Sequence, residues 1–107
     1  MSNIKLPLQD VIDRIKHLIE ASSIDQSVET KISDNLNDYE YRLNPSVMLK
    51  MSSKKFEAGV HVWSVGLAEI HGYDKQQVDF LFDYTIEIPT PEALDGHVLK
   101  VLELFKT

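Results

Sequence analysis

The spacing of apolar residues changes several times along the chain, and each change predicts an element. From Pro7 to Ser22, Leu8, Val11, Ile12, Ile15, Leu18 and Ile19 recur at helical spacing and form one broad stripe. Pro7 suits a first helical turn, where its missing N–H costs nothing. Asp10 and Asp13 lie near the positive end of the helix dipole.

From Ile24 to Leu43, Val28, Ile32, Leu36, Tyr39 and Leu43 repeat every three or four residues and predict a second helix. Ser23 and Gln26 have capping-box spacing at its start. Asn44-Pro45 ends it, because proline disfavours a helical residue before it. With a tight Ser22-Ser23 link, the two segments read as an antiparallel helical hairpin.

The period then becomes two. Val47, Leu49 and Met51 alternate with Ser46, Met48 and Lys50, a short strand. From Ala58 to Ile70 both alternating faces are apolar. That pattern fits a central strand covered on both sides, or one bulged near Gly66. His71-Gly72-Tyr73-Asp74 reads as a reversal. Val78, Phe80, Phe82, Tyr84, Ile86 and Ile88 then occupy every even position, with Asp79, Asp83, Thr85 and Glu87 at odd ones and Leu81 interrupting. The alternation predicts a long half-exposed strand. The capping spacing of Asp74 and Gln77 leaves a short helix over residues 74–83 as the rival. Past Pro89, Thr90-Pro91-Glu92 resembles an N-cap with proline in the first turn. Leu94, Val98, Val101, Leu102 and Phe105 make a helical stripe to the end.

The expected architecture is therefore a single α+β domain over residues 1–107. It has an N-terminal helical hairpin, a three-stranded antiparallel sheet and a C-terminal helix packed on the sheet. The sheet edges need cover, and a second copy of the chain, a homodimer, is the simplest one.

Composition narrows the chemistry. Cysteine is absent from the 107 residues, which excludes disulfides, thiol catalysis and thiolate zinc sites. No apolar run is long enough for a membrane helix, and the N-terminus lacks the pattern of a signal peptide, so a cytoplasmic protein is expected. The formal net charge is −6. That is the wrong sign for direct nucleic-acid binding or for an anionic membrane, and the right sign for a protein partner with a basic surface.

Phosphate-binding and hydrolase fingerprints are missing, and the four glycines are scattered. Asp10, Asp13, His17 and Glu20 share one side of the first helix and read as a solvated face rather than a metal site. His61 and His71, about 33 Å apart if their strand is straight, cannot share a ligand without a bend. No cofactor, metal or catalytic residue is expected.

What remains is recognition. Asp79, Asp83 and Glu87 line the polar side of the long strand, and Tyr41, Trp63 and Tyr73 fall outside the apolar stripes. These residues predict a non-enzymatic protein-binding module, of the kind that immunity, inhibitor and anti-defence proteins exemplify, acting through an acidic surface. The alternative is a dimeric ligand-binding or catalytic domain, with a pocket near His61 and Trp63 between sheet and helices.

Overall fold

The computed structural model describes residues 6–35 and 45–106. The element order is α1 (Leu8–Ala21), β1 (Glu29–Asp34), β2 (Ser46–Ser52), β3 (Phe56–Trp63), β4 (Leu67–Asp74), β5 (Asp79–Glu87), a 3-10 turn (Pro91–Leu94) and α2 (Asp95–Glu103). The strands form one antiparallel meander in the order β1-β2-β3-β4-β5. The fold is α+β, but the expected helical hairpin and three-stranded sheet are replaced by a single N-terminal helix and a five-stranded sheet.

The first correction falls on residues 24–43. Asp25 Oδ1 accepts the Ser27 N–H at 2.8 Å and the Val28 N–H reaches Asp25 O at 3.1 Å, so the chain turns where a helix was expected to start. Glu29–Asp34 then pairs along its whole length with β2. Thr30, Ile32 and Ser33 have little to gain from a helix. A cross-strand ladder and the packing of Ile32 on the core outweigh that weak preference. Leu36, Tyr39, Tyr41 and Leu43 lie outside the described residues.

The second correction is the stretch from Ala58 to Ile70, which is a hairpin rather than one strand. Gly66 N–H donates to Trp63 O at 3.0 Å, and Gly66 takes a φ of 92°, a left-handed conformation that suits glycine. The next reversal comes at Lys75–Val78, beyond the expected His71–Asp74, which belongs to β4. Asp74 Oδ1 accepts the N–H groups of Gln76 and Gln77 at 2.9 and 3.0 Å, an Asx-type turn that uses the capping spacing without forming a helix. Gly72 is not a turn residue. A Cβ there would meet Phe82 Cζ at 2.6 Å and Leu104 Cδ1 at 3.0 Å, so its bare backbone admits the Phe82 ring.

Elsewhere the expected elements form. Leu8, Val11, Ile12 and Ile15 of α1 are buried. Thr90 Oγ1 accepts the Ala93 N–H at 3.3 Å and caps the C-terminal helical segment. α1 packs on β2 and α2 on β3 and β4, all on one side of the sheet. Val47, Leu49, Met51, Val60, Val62 and Ile70 from the strands meet Val11, Ile15, Val98, Val101 and Leu102 from the helices, and all are buried. Arg14 Nε donates to Asp95 Oδ1 at 3.0 Å and ties α1 to α2, which raises the guanidinium pKa above its ordinary value. No helix among the described residues is long and apolar enough to cross a membrane.

Candidate docking face

In an antiparallel sheet, directly paired residues share a face. The row Ile32, Leu49, Val60, Ile70, Tyr84 faces the helices. The neighbouring rows face away from them. One runs Lys31, Lys50, Gly59, His71, Asp83. The next runs Ser33, Met48, His61, Glu69, Thr85, and a third brings Trp63, Leu67 and Glu87 together. No described helix covers this second side. Asp83, Glu87, Trp63 and Tyr73 of the expected recognition set all lie on it.

Asp79 does not. Between Gly72 and Tyr73 the pairing of β4 with β5 shifts. Gly72 pairs with Phe82, Tyr73 with Phe80 and Asp74 with Asp79, and Leu81 is the extra residue of a bulge. Each residue of β5 before the bulge is thereby moved to the face opposite the one its sequence parity assigns. Phe80, which alternation groups with Phe82 and Tyr84, comes to the open side and is 52% exposed. Asp79 goes to the helix-bearing side. The acidic ladder expected over Asp79, Asp83 and Glu87 is therefore split between two surfaces. The extended conformation itself, and the exposure of all three carboxylates, agree with the expectation. Tyr41 lies outside the described residues.

The hairpin also changes the relation of the two histidines. His61 and His71 sit on adjacent strands of the same face, with His61 opposite Glu69 and His71 opposite Gly59. His61 stacks on Trp63 with ring centroids 3.9 Å apart and planes inclined by 28°. Burial lowers its pKa below the ordinary 6.5, and the charge of Glu69 opposes that shift.

The open face is hollowed around these residues. A depression of about 520 Å3 is walled by Met48, Glu57, His61, His71, Tyr73 and Phe80, with Lys50, Glu69 and Asp83 also lining it. Gly59 forms its floor. A Cβ at that position would lie 2.6 Å from His71 Cε1, so the imidazole rests on bare backbone. Tyr73 meets Phe80 edge-to-face at 5.1 Å, and His71 meets the same ring at 6.4 Å. Sequence reasoning missed Phe80, His71, Glu57 and Glu69. The interruption at Leu81 was the one available sign that Phe80 changes side.

Among the described residues, buried aliphatic side chains of the core pack the layer between sheet and helices, the place expected for a pocket in the alternative reading. The depression lies on the other side of the sheet. No group of His, Asp and Glu among the described residues is arranged to hold a metal ion. No protein-family model matches the chain, and no curated protein or solved structure matches it either.

Proposed function

We propose that the protein is a non-enzymatic binding module that docks a protein partner of basic surface on its open sheet face. The observation that carries this reading is the joint presence of uncovered aromatic groups and unbalanced acid on one side of the sheet. Trp63, Tyr73 and Phe80 stand among Glu29, Glu57, Glu69, Asp83 and Glu87, against Lys31 and Lys50. Aromatic anchors commonly supply the energetic centre of a protein interface, with polar groups at its rim. The overall charge of −6 would speed the encounter with a cationic surface and oppose nucleic acid or anionic lipid.

An inhibitory or immunity-type role in the cytoplasm fits a small domain of this kind. Self-association through β1, at one end of the sheet, is compatible with it.

Charge reversal tests the reading. Asp83→Lys with Glu87→Lys should abolish partner capture from native lysate, whereas Asp79→Lys, on the other side, should leave it intact. Equal capture by all three proteins would reject the open face.

A further inference from the structure

We propose that the depression over Gly59 is a receptor for one arginine side chain of the basic partner. The proposal rests on the docking reading above and adds the chemistry of its central contact. Three features converge on a planar cation.

The first is charge. Glu57, Glu69 and Asp83 line the depression against Lys50 alone. Among the described residues the ion pairs join Arg14 to Glu92 and Asp95, and Lys106 to Glu103, so none engages these three carboxylates. An anionic ligand would be repelled, and a neutral apolar one would strip water from carboxylates without offering them a partner.

The second is the aromatic wall. Tyr73 and Phe80 meet edge-to-face at 5.1 Å, and the bulge at Leu81 has brought Phe80 out to join them. A cation over an aromatic face is attracted by the ring quadrupole, and guanidinium does this while stacking flat.

The third is the floor. Gly59 lets the His71 ring rest against bare backbone, where a Cβ would meet its Cε1 at 2.6 Å, and both line the depression. Asp83 pairs with His71 across β4 and β5, so a carboxylate stands at the rim where a guanidinium fork can meet it side-on. An ammonium, a compact and strongly hydrated point charge, would gain less from the flat walls.

The test uses ethylguanidinium and butylammonium chlorides as probes, titrated into the full chain and followed by backbone amide shifts. Ethylguanidinium should perturb Gly59, His71, Tyr73 and Phe80, and should bind about threefold or more tightly than butylammonium. Phe80→Ala, a change at an exposed position, should remove that preference, and Asp83→Asn should weaken both probes. Equal binding of the two cations, shifts clustered elsewhere, or a preference that survives Phe80→Ala would overturn the arginine receptor. Partner capture distinguishes this from failure of the docking face. Capture lost with Asp83→Lys and Glu87→Lys but unaffected by Phe80→Ala rejects the receptor and keeps the face. Capture indifferent to every open-face change rejects both.

Discussion

The two sides of the sheet are built from the same strands, yet they solve opposite problems. On the helix side, Val47, Leu49, Met51, Val60, Val62 and Ile70 are sealed under α1 and α2. On the other, Met48, Trp63, Leu67, Tyr73 and Phe80 alternate with charged groups and no described helix lies over them. The contrast separates the side chains that hold the fold together from those that no described helix covers. Gly72 and Gly59 carry this into one comparison, because each makes room for a ring, Phe82 inside and His71 outside.

The largest effect should come from the sealed side. Leu49→Ala, at a fully buried position, should lower the unfolding free energy by about 3 kcal/mol, read by urea denaturation. A loss under about 1 kcal/mol would mean that this layer is looser than its burial implies. Next, Gly72→Ala should cost about 1–3 kcal/mol, since both Phe82 and Leu104, packed against the core, must shift to admit a Cβ. Gly59→Ala should cost less, because His71 borders open space, yet it should abolish the ethylguanidinium response. If the two substitutions destabilise equally, the distinction between the faces fails.

Tyr84→Phe should cost about 1 kcal/mol through loss of the hydroxyl contact with His97 Nδ1 at 2.6 Å. The smallest effect belongs to His61. Its folded pKa lies below 6.5, so the unfolded chain binds a proton in a range where the folded chain does not. Stability from this group is present above pH 6.5 and declines as pH falls through that value towards the folded pKa. Urea midpoints measured between pH 7.5 and 5 should show the decline, and His61→Gln should flatten that part of it. A slope unchanged by the substitution would assign the pH dependence elsewhere.

Much of the sealed side was legible in the sequence. The stripe from Leu8 to Ile19 and the alternation of Val47, Leu49 and Met51 each admit one reading. The segment after Ser23 does not. Val28 and Ile32 are four residues apart, a spacing common to one helical turn and to two steps of a strand. The choice was made by a partner strand that begins at Ser46. The β3–β4 hairpin was hidden because its strands carry apolar residues on both sides, leaving Gly66 alone to mark the turn.

The open face was half legible. Trp63 and Tyr73 stood out because no stripe claimed them, and Asp83 and Glu87 because they followed the alternation. Phe80 and Asp79 were assigned to the wrong sides for one reason: parity counts residues, and a bulge adds one that the neighbouring strand does not match. The hollow over Gly59 depends on a ring from the next strand and is not a local property of the sequence.

The extra residue in β5 also bears on how the protein behaves when crowded. An end strand with regular pleating is a template on which further copies can grow into fibrils. Here the irregular backbone at Leu81 interrupts such a template, and antiparallel alignment of two copies about Asp83 would set like charges against each other. The same kink that turns Phe80 outward thus leaves that end of the sheet a poorer template than a regular strand would be.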